Sequence, residues 1–264
     1  MDLHLKDKVV IVSGGAKGIG RGIVLALASE GAIPVIVGRK QADNLLVQAE
    51  VEALGGRAYC IAAELNIPEN SKAVVQETLA QFGRIDGLVN NAGHNDGVGL
   101  ENGDYEGFIQ SYHKNVVHYY LLAHHALPEL KKSKGSILNI TSKSAETGQG
   151  GTSGYAASNG ARNALTREWA VELLPYGIRV NAIVVAECAT PQYDSWIQTL
   201  DNPEKTLQKI TDRIPLGNRM TTPKEVADTA VFLLSERSSH TTGQLLYVDG
   251  GYVHLDRALI KEEK

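Results

Sequence analysis

The chain has 264 residues, 43% of them hydrophobic, enough to bury one large α/β core or two small ones. Its 26 basic and 30 acidic side chains leave a net charge of −4 with no basic run, which argues against a dedicated nucleic-acid binder. Cys60 and Cys188 are too few for a disulfide framework, no apolar run approaches the ~20 residues of a membrane helix, and the charged N-terminus lacks the apolar core of a signal peptide. A soluble cytoplasmic protein with free thiols and no membrane partner is expected.

Val9, Val10, Ile11 and Val12 form a β-branched run that reads as a buried strand. A glycine-rich turn follows with Gly14, Gly18 and Gly20, and 21–29 has helical composition. Strand, glycine turn and helix in that order make a phosphate cradle. Gly14 allows the tight turn, Gly18 lets the main chain approach a pyrophosphate, and Gly20 lets helix and strand pack closely. The spacing is not G-x-G-x-x-G, and a plain strand-to-helix turn shares this composition. The flanking strand and helix raise the ligand reading.

A second strand is predicted at 34–37, a helix over 41–53 stopped by Gly55 and Gly56, and a third strand at 58–62. Asn66 and Pro68 open a helix that ends near Gly83. A fourth strand at 85–89 is closed by Asn90, Asn91, Ala92 and Gly93. One long helix is predicted over 104–130, then a strand at 136–140, an alanine-rich helix over 155–173 and a sixth strand at 178–185. A helix over 223–234 and a last strand at 244–248 complete the pattern. Regular alternation predicts a single α/β domain spanning 1–264, a doubly wound parallel sheet of order 3-2-1-4-5-6 with helices on both faces. Residues 187–215 break the alternation after the sixth strand, where open α/β sheets bind ligands, and read as a substrate lid.

Ser142 lies just past the fifth strand, and Tyr155 begins the next helix. Position 159 is one turn further on the same face. A tyrosine beside a dinucleotide acts as general base for an alcohol only if a cation lowers the usual phenol pKa of about 10. A serine hydroxyl there holds the substrate oxygen. From these residues alone, a helix-terminal aromatic and a turn serine are the plainer reading.

With Gly14-x-x-x-Gly18-x-Gly20, Asn90-Asn91-Ala92-Gly93, Asn115, Ser142, Tyr155, Thr242-Gly243-Gln244 and Val248-Asp249-Gly250-Gly251 taken together, the chain resembles the short-chain dehydrogenase/reductase family over nearly its full length. The resemblance implies a Rossmann-type fold, a nicotinamide cofactor, hydride transfer and an assembly paired through the long helix, by default a homotetramer. It also implies a catalytic set of Ser142, Tyr155, Asn115 and position 159. The family has lysine at 159, where this chain has Asn159. That lysine bonds the nicotinamide ribose and lowers the tyrosine pKa; asparagine keeps only the first task, and less well. Losing a cation within about 5 Å costs roughly one to three pKa units. General acid–base catalysis supplies roughly 10²–10⁴-fold, so much of the rate is at stake. Asn159 fits either an introduced substitution that silences turnover or a natural member with weak activity, and the intact remainder favours the first.

The cofactor contacts implied by the resemblance fall on Gly14, Lys17, Gly18, Ile19, Gly20, Arg39, Lys40, Glu64, Leu65, Asn91, Ala92, Gly93, Tyr155, Asn159, Cys188 and Thr190. Relatives that prefer NAD carry an acid at the end of the second strand. Here Gly38 stands there, followed by Arg39 and Lys40, with Lys17 in the glycine turn. Three cations and no carboxylate suit a 2′-phosphate, so NADP is expected over NAD. Glu64 and Leu65 are expected to flank the adenine.

The substrate pocket is expected to form from His94, Ser142, Ser144, Gln149, Tyr155, Glu187, Gln192 and Trp196, a mixture suited to a hydroxyl-rich ligand. Val185-Ala186-Glu187, Thr190-Pro191-Gln192 and the tail at 251–257 resemble bacterial sugar dehydrogenases of the L-fucose type. That implies oxidation at C1 of L-fucose or a related L-galactose-like aldose to its lactone, with Glu187 and His94 bonding hydroxyls and Trp196 stacking on the ring. The rivals are a dehydrogenase for another alcohol or a 3-oxoacyl substrate, and a non-catalytic dinucleotide-binding sensor or scaffold. His113, His118, His124 and His125 have no carboxylate or cysteine at ligand spacing, so no metal site is expected. With Tyr112, Tyr119 and Tyr120 they read as a subunit contact.

Overall fold

The structure, a computed structural model, describes residues 1–255. The β-branched run folds as β1 (Val9–Ser13), with every residue buried, and the glycine turn leads into α1 (Gly18–Ser29). The chain continues through β2 (Ile33–Gly38), α2 (Gln41–Ala53), β3 (Tyr59–Ala62), α3 (Pro68–Phe82) and β4 (Gly87–Asn90). α4 (Tyr105–Tyr112) and α5 (His118–Ser133) precede β5 (Ser136–Ser142), α6 (Ser153–Glu172) and β6 (Arg179–Val185). α7 (Pro191–Ile197), α8 (Pro203–Thr211), α9 (Pro223–Leu234) and β7 (Leu245–Val248) follow.

All strands pair in parallel in the order β3-β2-β1-β4-β5-β6-β7, the expected doubly wound sheet with the last strand added beyond β6. Successive side chains of a strand point to opposite faces. Val10 and Val12 therefore join one apolar layer with Ile23 and Leu27 of α1 and Val226 and Ala230 of α9. Val9 and Ile11 join the other with Val74 of α3, Leu122 of α5 and Trp169 of α6. Asp86 ties the starts of two strands. Its buried carboxylate accepts the Val9 N–H at 2.9 Å and two guanidinium bonds from Arg84 at 2.8 and 2.6 Å.

Three departures from the sequence reading bear on function. The long helix is not continuous: His113–Val117 forms a π-helical turn between α4 and α5. The Asn115 side-chain amide donates to the Ser111 carbonyl at 3.0 Å, the acceptor an unbroken α-helix reserves for the Asn115 backbone N–H. Residues 187–215 are not irregular but carry α7 and α8, each opened by a proline that needs no N–H partner there. Thr190 caps α7, its hydroxyl accepting the Tyr193 N–H at 3.3 Å.

The third departure corrects the proposed subunit contact. His118 and Tyr119 are 1% and 0% exposed and belong to the interior, whereas Tyr120 is 51% exposed. The Tyr119 hydroxyl donates to the Ile140 carbonyl at 3.0 Å, which draws it inward against β5. Burial, with Arg162 adding, pushes the His118 imidazole down to about 3. An unfolded chain protonates His118 below about pH 6.5, and the folded chain does not until about pH 3, so stability falls as pH drops through that window. The expected slope from this residue approaches about 1.4 kcal/mol per pH unit below pH ~6. Urea denaturation between pH 7 and 5 measures it, and His118→Phe is expected to remove it.

Candidate active site and dinucleotide cradle

The cradle lies at the carboxyl end of β1. Gly14 and Gly18 have φ of 65° and 52°, the left-handed region that favours glycine. A Cβ on Gly20 would stand 2.1 Å from the Gly14 carbonyl oxygen and 2.6 Å from Asn91 Nδ2, so helix and turn meet here only through glycine. Asn91 seals the corner, its amide donating to the carbonyls of Ser13 at 2.9 Å and Gly14 at 3.2 Å. The Ser13 hydroxyl accepts the N–H groups of Asn91 and Ala92 at 2.9 and 3.1 Å. The first turn of α1 carries no acidic residue and its N-cap, Lys17, makes no side-chain cap bond. That leaves N–H groups and the positive helix end for an anion, so the residues present fit a dinucleotide diphosphate. Ile19 is half-buried in the same turn and packs against the α1–α9 layer. Thr190 leans over the turn, its Cγ2 3.1 Å from where a Gly18 Cβ would sit. Cys188 is buried, and burial pushes its thiol up to about 12.

The adenosine end departs from the acid-free pocket expected. The Lys17 ammonium pairs with Asp43 at 2.8 Å, a carboxylate the strand-end argument did not weigh because it arrives from the first turn of α2. Lys17 lowers the Asp43 pKa, chiefly by hydrogen bonding. Arg39 lies 3.8 Å from Glu64, and Lys40 makes no ion pair among the described residues. Glu64 is half-buried beside that guanidinium, while Leu65 is buried in the apolar layer and offers little surface to a ligand.

Two of the four expected catalytic residues, Asn115 and Asn159, meet around one side chain the sequence reading missed, and Tyr155 adjoins Asn159 through its backbone carbonyl. Asn115, in the π turn, receives the His94 backbone N–H on its Oδ1 at 2.9 Å. Asn159 donates its amide to the Tyr155 carbonyl at 2.8 Å. Arg162, one turn beyond Asn159 in α6, donates to Asn115 and to Asn159. Ser142 ends β5 opposite Val185, at the carboxyl edge, and its hydroxyl accepts the Ser144 N–H at 3.2 Å. α6 is held to the sheet by a buried amide chain: Asn90 donates to Asn139 at 3.0 Å, and Asn139 to the Thr166 hydroxyl at 2.9 Å.

The expected substrate side is more charged than its sequence suggested. Lys143, directly after Ser142, is buried and pairs with Glu187 at the exit of β6. Its ammonium lies 4.0 Å over the Tyr252 ring. Burial and the nearby Glu187 carboxylate push the Tyr193 phenol well above its ordinary range. The Ser144 hydroxyl is buried without a hydrogen-bond partner among the described residues. His94, Gln149, Gln192 and Trp196 are exposed, and Trp196 packs edge-on to Tyr193 at 5.2 Å. Although part of the His94 side chain reaches solvent, desolvation of the rest pushes its imidazole below its ordinary value, opposed by Asp96. Lys143, Tyr193 and Tyr252 escaped the sequence reading because they gather around Glu187 only through tertiary contacts; in sequence, only the adjacency of Lys143 to Ser142 pointed to it. Asp256 and Arg257 of the tail lie outside the described residues.

Comparison with known proteins gives the family. A family model described as enoyl-(acyl carrier protein) reductase matches residues 14–253. The chain is 39% identical to an L-fucose dehydrogenase of Bos taurus over 252 residues, covering 95% of this chain and 91% of the relative. It is 36% identical to a 3-oxoacyl-[acyl-carrier-protein] reductase of Thermotoga maritima over 257 residues, covering 95% of this chain and 100% of that one. The crystal structure of Cj0485 dehydrogenase superposes with a TM-score of 0.93 at 46% identity, covering 99% of this chain and 100% of that one. The chain belongs to the short-chain dehydrogenase/reductase family, and a nicotinamide dinucleotide is the cofactor that membership implies. No helix among the described residues is long and apolar enough to cross a membrane.

Proposed function

We propose that the protein is an NADP-dependent dehydrogenase of a sugar hydroxyl, oxidising C1 of L-fucose or a related aldose to the lactone at a rate lowered by Asn159. The observation that carries the sugar is a buried polar cluster: the Lys143–Glu187 pair and the Ser144 hydroxyl, unpartnered among the described residues, stand beside Ser142. Buried polar groups of this kind are satisfied by a ligand with several hydroxyls and left stranded by an acyl chain. Similarity to L-fucose dehydrogenases supports the same substrate class.

Ser142 and Tyr155 hold the reacting hydroxyl. Tyr155 takes the hydroxyl proton and passes it to solvent, and Asn115 braces the backbone beneath the site. Asn159 has one amide proton left for a ribose hydroxyl, since the other goes to the Tyr155 carbonyl. A bound nicotinamide would supply the hydride acceptor for C1. Arg39 and Lys40 bind the 2′-phosphate, and α7 and α8 serve as the lid. The assembly is a cytoplasmic homotetramer paired through the long helix, where Tyr120 stacks on His124 at 5.8 Å.

Initial rates with NADP and NAD against aldoses, apolar alcohols and 3-oxoacyl thioesters test the reading. Arg39→Ala is expected to weaken NADP binding about 10-fold or more, the worth of one charge-assisted bond, and to leave NAD within about twofold. A preference for NAD sinks the cofactor half, and turnover confined to apolar substrates sinks the sugar half. Dinucleotide binding without turnover on any of them favours the sensor.

A further inference from the structure

The loop from β4 to α4 meets the start of α6 at one buried serine. Ser111, in the last turn of α4, is wholly buried. Its hydroxyl donates to Asp96 Oδ1 at 3.0 Å, and the Lys114 ammonium donates to Oδ2 of the same carboxylate at 3.5 Å. The Asp96 side chain is 9% exposed, although Gly93, His94, Asn95 and Gly97 around it are exposed. An acid turned inward from an exposed loop is held there by the bonds it accepts, because burial alone disfavours it.

Three contacts join this clip to the expected catalytic residues. Two residues before Asp96, the His94 N–H donates to Asn115 Oδ1 at 2.9 Å. The Asn115 amide donates to the Ser111 carbonyl at 3.0 Å, so one serine serves the π turn through its backbone and the loop through its side chain. Two residues beyond Asp96, the Val98 carbonyl accepts the Gly154 N–H at 3.1 Å. That N–H belongs to the first turn of α6, which the helix's own carbonyls leave unserved, and Tyr155 is the next residue. Gly154 also lies directly on the serine: a Cβ there would stand 2.7 Å from both Cβ and Oγ of Ser111. A Cβ on Gly99 would come within 3.0 Å of Gly151 Cα, so the loop also closes on the segment leading into α6.

We infer that Asp96, Ser111 and Gly154 are positioning residues: the Asp96–Ser111 bond fixes the loop to the π turn, and the contact of Gly154 with Ser111 fixes the first turn of α6 against both, so that Tyr155 and Asn115 keep one separation. The inference rests on Tyr155 being the general base of the proposed reaction and on Asn115 belonging to its site. It adds the device that holds the two elements in register. Reacting groups tolerate little displacement, and a misplacement of about 1 Å costs roughly 10²-fold in rate. Alanine is the better helix former, so the bare Cα at 154 serves the close approach rather than α6 itself.

The test changes size and bonding at the junction and reads kcat with the best aldose, dinucleotide Kd, and the NMR resonances of the Tyr155 ring and the Asn115 amide. Gly154→Ala is expected to lower kcat about 10–100-fold and to leave dinucleotide Kd within about twofold. Ser111→Gly removes both crowding atoms together with the bond to Asp96 and is expected to cost about tenfold. The double variant Ser111→Gly/Gly154→Ala is expected to lose no more than Ser111→Gly alone, because the methyl occupies the vacated space; independent effects would multiply to about 10²–10³-fold. Asp96→Ala is expected to lower kcat about tenfold and to move the Tyr155 and Asn115 resonances, while Asp96→Asn, which keeps an acceptor for Ser111, recovers most of the rate and both resonances.

Multiplied losses in the double variant would overturn the inference. So would Asp96→Ala with unmoved resonances and kcat within threefold of wild type. A fall in dinucleotide affinity in step with kcat would make the clip a general tether of the fold, and the inference fails there too. Should Gly154→Ala not fold, the two Asp96 variants carry the comparison. Absence of turnover in wild type and every variant would count against the proposed reaction, while the resonances still decide whether the clip places Tyr155 and Asn115.

Discussion

Tyr155→Phe is expected to lower kcat by about 10²–10⁴-fold, the usual worth of a positioned general base, and to leave dinucleotide affinity within about twofold. The asymmetry follows from where the hydroxyl stands. Tyr155 is half-buried in the first turn of α6, while the diphosphate cradle is built from β1, the glycine turn and Asn91, which the substitution does not touch. Steady-state kinetics with the best aldose, beside a fluorescence titration of dinucleotide, measures both. A loss below about tenfold would mean that another group takes the proton.

Asp86→Ala is expected to destabilise the fold by about 2–4 kcal/mol, read as a lower urea midpoint with unchanged slope. The carboxylate is 5% exposed and lies 3.9 Å from Lys8. Its loss strands the buried Val9 N–H at the start of β1, and Arg84 loses its bidentate partner. Arg84 is 52% exposed and regains water, so most of the cost comes from the backbone group. Asp86→Asn keeps an acceptor for Val9 and is expected to lose about half as much. An effect of Asp86→Ala under about 1 kcal/mol would show that the strand start is satisfied by other means.

Local patterns in the sequence were sufficient for the fold. Four β-branched residues, a glycine turn and a regular alternation of short apolar runs with helical ones place β1 and the sheet order, because burial on both faces demands them. The π turn was illegible for a physical reason. Its cause is a side-chain amide taking a backbone acceptor at Asn115, and helix periodicity carries no trace of that competition. Asp43 was overlooked because it reaches Lys17 from the next helix. Arg162 sits at a spacing a helical wheel would group with Asn159 and Tyr155, but a lone arginine in an alanine-rich helix reads as solvated surface until its burial is seen.

The Lys143–Glu187 contact has a consequence for ligand choice. Because the two charges cancel, the pair offers a donor and an acceptor but no net charge. A phosphorylated or carboxylated sugar would therefore gain little Coulomb attraction there to offset the water it must shed, whereas a neutral monosaccharide sheds less. In the proposed sugar site, the pair would therefore disfavour anionic metabolites, sorting candidates by ionic state.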